Sequence, residues 1–303
     1  MLKFLNKRII KYPFIIFFSF ASGILSYNFA KENIYEKFLF FHRKVFINQY
    51  KSIECPKASI SIALFGQSNS ANTVLPKSNL KIPQNLYQYN WRTNKCYFFK
   101  EPLLGTMGLS GNSITYTAVK LARENPKPVI VIPFGVDGSS VIEWSYGYLN
   151  NYFLFVISQL KKDEIYPNIF LWHQGETDSK KNHHEVEQFK NIPAFRKPKK
   201  LELGLNKDIY KNALQNIYEI SQENFPNSKF GIGLVSICNN KKEWEPIRSA
   251  QMKVAKDNLN AFISADSDKI REIVDRLGCH FTSIGAKKLG EEYYLSIKNN
   301  FLK

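Results

Sequence analysis

Five short apolar runs constrain this chain more than any other feature: Ser59–Phe65, Val129–Phe134, Asn168–Trp172, Phe230–Ile237 and Ala261–Ala265. They are nearly continuous and rich in β-branched and aromatic residues, the pattern of strands buried on both faces. Helical patterns separate or follow them: Ser113–Glu124, Leu149–Lys162, Asp208–Asn224, Pro246–Asn258 and Ser283–Asn299. Strand alternating with helix predicts an α/β fold. The expected architecture is a three-layer α/β/α sandwich on a mostly parallel, five-stranded, flavodoxin-like sheet. A long basic connection from Lys180 to Lys207, holding Pro193 and Pro198, reads as a surface insertion. No internal repeat occurs.

The amino terminus sets an address. Lys3, Lys7, Arg8 and Lys11 precede any acidic residue, and an apolar run follows from Tyr12 to Ala30. That run approaches the ~20 residues that cross a bilayer core as a helix. Basic residues before it place the start in the cytoplasm and the rest outside. A cut at Ala21-Ser22-Gly23 would fall inside the run, so the reading is an uncleaved anchor rather than a cleaved leader. The expected order is a cytoplasmic tail at 1–11, a transmembrane anchor at 12–30, a connector at 31–54 and one catalytic domain at 55–303. The predicted location is the inner membrane, single-pass, with the domain in the periplasm.

An oxidising compartment permits disulfides. The four cysteines are too few for a disulfide scaffold, and no CxxC spacing suggests zinc. Their placement predicts Cys238–Cys279 and Cys55–Cys96. The formal charge of +16 fits an anionic partner, though lysine is spread throughout the chain. No nucleic-acid recognition motif appears, so nucleic acid is not the expected partner.

In an open α/β sheet, ligands sit beyond the carboxyl ends of the strands. Four segments fall there: Gly66-Gln67-Ser68-Asn69-Ser70, Gly105–Ser113, Trp172-His173-Gln174-Gly175-Glu176-Thr177-Asp178 and Gly278-Cys279-His280-Phe281-Thr282-Ser283. An exposed serine, a late histidine, glycine amides and a side-chain amide are the parts required for acyl transfer. Ser68 is followed by Asn69-Ser70, so the GxSxG elbow of α/β-hydrolases is absent.

From residue 58 to the carboxyl end, these blocks resemble the SGNH-hydrolase superfamily. GQSN at Gly66–Asn69 and HQGE at His173–Glu176 are similar to its sialate O-acetylesterase-like and acetylxylan-esterase-like branch. The resemblance implies Ser68 as nucleophile and His280 as base. It implies an oxyanion hole of the Ser68 and Gly111 amides with the Gln174 side chain, and Gly108 as the alternative glycine. Relatives carry Asp three residues before the histidine, where this chain has Leu277. The orienting carboxylate is therefore open between Glu176 and Asp275. The Val136–Trp144 segment resembles a GGSS-like loop beside the site.

The simpler readings differ by residue. His173 reads as a packed residue beneath the site. His183 and His184, like Lys197, Lys199 and Lys200, read as solvated. Arg248 and Gln251 share a helix face that turns toward either the site or the surface. The function implied is removal of O-acetyl groups from a glycan, without metal or organic cofactor. Two alternatives stand beside it: an O-acetyltransferase for a surface polysaccharide using the same site, and a glycan-binding protein that has lost its chemistry, which Leu277 favours.

Overall fold

Alternating apolar residues along the strands divide the core in two. The computed structural model describes residues 47, 49–179, 205–238 and 242–302. The predicted tail, anchor and most of the connector lie outside the described residues, as do 180–204 with the two histidines and three lysines named above. Residues 50–303 form one compact unit. No helix among the described residues is long and apolar enough to cross a membrane.

The strands are β1 (Ser52–Ile53), β2 (Ile60–Gly66), β3 (Leu86–Asn90), β4 (Lys95–Phe98), β5 (Val129–Pro133), β6 (Ile169–His173), β7 (Lys229–Leu234) and β8 (Ala261–Asp266). They form one eight-stranded sheet in the order β1-β4-β3-β5-β2-β6-β7-β8. From β3 to β8 all neighbours run parallel, while β4 is antiparallel to β3 and β1 to β4. The expected five strands are present, and among the described residues the five-stranded sheet is corrected to eight strands. The added strands lack long apolar runs. In β3, Gln88 and Asn90 are buried, and Gln88 accepts from the Leu104 amide at 2.7 Å and donates to Lys100 O at 3.1 Å. Polar residues satisfied inside a sheet carry no hydrophobic signature.

The helices are α1 (Ile114–Glu124), α2 (Val141–Ser145), α3 (Tyr148–Lys162), α4 (Lys207–Asn224), α5 (Glu245–Asp257) and α6 (Ser283–Asn300). They cover both faces of the sheet. Ala63 and Phe65 of β2 join one core with Phe153 of α3, Leu214 of α4 and Ile247 of α5. Ile62 and Leu64 join the other, with Leu121 of α1 and Leu289 of α6. Phe65 is the hub of the first core, with ring centroids 4.8 Å from Phe134 and 5.0 Å from Phe153 and Trp172. Burying such rings contributes about 1.5–3 kcal/mol each. This apolar body fixes the strand ends on which the site stands.

Both predicted cysteine pairs form disulfides. Cys55–Cys96 ties the chain before β2 to β4, and Cys238–Cys279 ties the segment after β7 to the loop before α6. That loop is a small antiparallel ribbon of β9 (Arg276–Leu277) and β10 (His280–Phe281), separate from the main sheet.

Candidate active site

Ser68 opens a short 3-10 turn, Ser68–Ser70, at the carboxyl end of β2. Gly66, with φ +122°, brings the chain there, and a Cβ on it would lie 2.3 Å from His173 O. Only glycine permits β2 and β6 to approach so closely at that backbone angle. The turn is closed by Ala71 N donating to Ser68 O at 2.9 Å and Ser70 Oγ donating to Gln67 O at 2.6 Å. Thr73 Oγ1 also donates to Ser68 O, at 2.9 Å. Gln67 Oε1 accepts from the amides of Gly175 at 3.2 Å and Thr177 at 3.0 Å. The residue before the serine thus docks the HQGE loop beside it.

His280 stands on β10, directly across the ribbon from the exposed Leu277, and β10 packs against the Ser68–Ser70 turn. Arg276 holds the ribbon's inner side. Its guanidinium donates to Ile270 O at 2.7 Å, Ser267 O at 2.7 Å and Cys279 O at 3.1 Å, and lies 4.1 Å from the Phe281 ring centroid. Burial lowers the Arg276 pKa from its ordinary value, against the opposing pull of Glu176, Asp268 and Asp275. Asn69 Nδ2 joins the two halves of the site, donating to Glu176 Oε1 at 2.7 Å and to Cys279 O at 2.9 Å. Neither Ser68 Oγ nor the His280 ring makes a hydrogen bond among the described residues. Free-state catalytic contacts are commonly open and tighten only with substrate.

Glu176 is wholly buried, its Oε1 lying 3.6 Å from His173 Nε2. Burial alone would push its carboxyl up. The His173 imidazole and the Asn69 amide outweigh burial, and the net direction is down, so the group stays ionised. His173 Nδ1 pairs with the Tyr293 hydroxyl of α6. Burial, helped by Glu176 and Glu292, raises the Tyr293 pKa well above its ordinary value. A hydroxyl so held keeps its proton, and the pair buries His173 between β6 and α6. The reading of His173 as a packed residue beneath the site agrees with this.

Two of the expected oxyanion donors have other partners in this structure. Gln174 is buried, and its Nε2 donates to Ser139 O at 3.1 Å and Asp178 Oδ2 at 2.7 Å. Both amide hydrogens are therefore taken. Its Oε1 accepts from the Tyr210 hydroxyl at 2.9 Å. The Gly111 amide donates to Val74 O at 2.9 Å, so it too is occupied. Gly108, the alternative glycine, is exposed, has φ +81° and lies beside Asn72. The amides of Gly108 and Ser68 donate to no acceptor among the described residues.

Asp275 is buried, but Oδ2 pairs with Lys288 Nζ of α6 at 2.9 Å. Neither Asp275 nor Glu176 touches the His280 ring in this structure. Arg248 and Gln251 turn inward. Arg248 binds Asp266 through Nη1 at 2.8 Å and Asp268 at 2.9 Å. Gln251 donates to Gln174 O at 3.0 Å and Val235 O at 3.1 Å. The GGSS-like segment runs as a loop to Ser140 and leads into α2, capped by a Ser140–Glu143 box. Asp178 anchors it, accepting from Ser140 Oγ at 2.6 Å and Val141 N at 2.8 Å. Among the described residues no group of three or more His, Cys, Asp or Glu is arranged to hold a metal ion.

Residues 62–298 match the family model of carbohydrate esterases described as sialic acid-specific acetylesterase. The chain belongs to this family. It is a serine ester hydrolase of the carbohydrate O-acetylesterase kind, with the mixed α/β, mostly parallel SGNH-like fold. A protein of Arabidopsis thaliana is similar in structure at TM-score 0.59 and 15% identity, over 80% of this chain and 99% of that one. A carbohydrate acetylesterase from Xanthomonas citri is similar at TM-score 0.51 and 12% identity, over 80% of this chain and 56% of that one. At these identities the likeness is one of fold. No curated protein matches the chain in sequence.

Sequence reasoning missed Gln67, Asn69, Arg276 and Tyr293. Gln67 and Asn69 flank the serine in GQSN, so their signal was adjacency. Tyr293 lies 120 residues from His173 and left no local trace.

Proposed function

We propose that Ser68 is the nucleophile and His280 the general base of a membrane-anchored, extracytoplasmic esterase that removes O-acetyl groups from a glycan. The observation that carries this reading is the meeting of the serine turn and the histidine ribbon at one rim of the sheet, joined by Asn69. Two disulfides support an oxidising compartment, and the basic tail with its apolar run supports a single-pass anchor.

In this reaction His280 takes the Ser68 proton as Oγ attacks the acetyl carbonyl carbon. The tetrahedral oxyanion is stabilised by the Ser68 and Gly108 amides, which donate to no acceptor among the described residues. Collapse breaks the ester C–O bond, and His280 returns the proton to the leaving sugar hydroxyl. Water, deprotonated by His280, then attacks the acetyl-enzyme and releases acetate and Ser68.

The test is hydrolysis of an aryl acetate and of O-acetylated glycans by the full chain, with acetate measured as product. Acetate release lost in Ser68→Ala is expected. Release unchanged in that variant contradicts the reading, and acetyl transfer to an added glycan in place of acetate release makes the enzyme a transferase.

A further inference from the structure

The relatives' orienting aspartate is replaced here by Leu277, opposite His280 on the ribbon. Neither candidate carboxylate meets the His280 ring, yet Glu176 lies within one side chain of the histidine's own backbone. Its Oε1 accepts from Asn69 Nδ2 at 2.7 Å, and the same nitrogen donates to Cys279 O at 2.9 Å. Both partners of Nδ2 are acceptors, so the amide orientation is fixed by chemistry. The Cys279 carbonyl belongs to the peptide that leads into His280. It also accepts from Arg276 Nη1 at 3.1 Å, and its residue is bridged to Cys238.

We propose that Glu176 is a positioning residue: through Asn69 it holds the Cys279 carbonyl and so places His280 without touching its ring. This rests on reading Ser68 and His280 as the catalytic pair. The ionised carboxylate strengthens the amide that bridges it to the carbonyl, since charge-assisted bonds in a buried site are the strong ones. His173 Nε2 lies 3.6 Å from the same Glu176 Oε1, and Tyr293 in turn holds His173, so β6 and α6 back the carboxylate that ties the ribbon. The arrangement also accounts for Asn rather than Asp after the nucleophile, because Asp at position 69 would face both Glu176 and the carbonyl with acceptors.

The experiment compares Asn69→Ala, Glu176→Ala, Glu176→Gln and the Asn69→Ala/Glu176→Ala double variant in the full chain. It reads kcat and KM on an aryl acetate, and hydrogen exchange across 276–281. A misplaced base costs about 10²-fold, so each alanine variant is expected to lose about that in kcat with KM little changed. The double variant should be no slower than either single, because both cut the same tie. Glu176→Gln keeps an acceptor for Asn69 and should stay within about tenfold of the native enzyme. Exchange at 276–281 should rise in the alanine variants. A fall of about 10⁴-fold in Glu176→Gln, as for a lost triad carboxylate, overturns the proposal. So does native kcat in Asn69→Ala, or losses that multiply in the double variant. Should Glu176→Ala not fold, Asn69→Ala and Glu176→Gln decide the matter. If Ser68→Ala keeps full activity the catalytic reading fails, while the exchange data still report whether the tie holds the ribbon.

Discussion

The two sides of the site are built differently. On the serine side, Gln67 and Ser70 are buried and hydrogen-bonded at the end of a central strand. On the histidine side, a two-residue ribbon stands outside the main sheet, with Leu277 60% and Ile273 87% exposed. The proposed nucleophile, Ser68, is fixed by the fold's core. The proposed base, His280, is fixed by a few ties: Arg276, the Cys238–Cys279 bridge and Asn69. Damage to the serine side should therefore appear first as lost stability, and damage to the ties first as lost rate.

The largest expected effect joins both sides. Ser68→Ala and His280→Ala should each lower kcat by about 10⁴-fold or more, measured as acetate release. Similar losses in both, with native melting curves, would place the two groups in one step.

Next in size is the histidine tie. Cys238→Ser/Cys279→Ser should lose about 10²-fold in kcat while keeping a cooperative unfolding transition, lowered by about 2–4 kcal/mol. Denaturant melts alongside kinetics check this. Full activity without the bridge would show that the ribbon holds itself.

On the serine side, Asp178→Ala should destabilise by about 3 kcal/mol, because it strands buried donors of Ser140, Val141 and Gln174. Rate per folded molecule should change less than in the disulfide variant. The reverse order would erase the contrast between the two sides.

The sequence showed one side better than the other. Long β-branched runs and GQSN and HQGE made β2, β6 and the serine turn readable. Of the ribbon only the Cys238–Cys279 bridge was readable, because its strands are two residues each and its other ties come from Arg276 and Asn69. Motif reading also gave Gln174 and Gly111 oxyanion roles, whereas the fold uses both as internal donors. A motif supplies residue types at the right place in the chain. Which hydrogen each residue has left depends on how the chain folds around it, with Asp178 turned back onto Gln174 and Val74 brought to Gly111 from an earlier loop. The β3–β4 edge escaped notice for a related reason, since Gln88 and Asn90 replace apolar residues in its strand.

Smaller effects refine the same contrast. Asp275→Asn should leave kcat within about threefold and shift stability by about 1 kcal/mol, because its partner Lys288 is half exposed. A loss near 10⁴-fold would instead make Asp275 the orienting carboxylate. The pH dependence of stability should be the subtlest signal. Glu176 titrates below its ordinary value in the folded chain. Its contribution is therefore present above the unfolded value of about 4.3 and is lost as pH falls through the lower folded value. Denaturant melts between about pH 3 and pH 6 should show the native enzyme losing its advantage over Glu176→Gln as the solution becomes more acidic.

The most direct measurement is the site and rate of adduct formation with a fluorophosphonate, read by peptide mass spectrometry. The account predicts one adduct on Ser68, absent in Ser68→Ala and formed far more slowly in His280→Ala. An adduct on another residue, or equal labelling rates with and without His280, would contradict it.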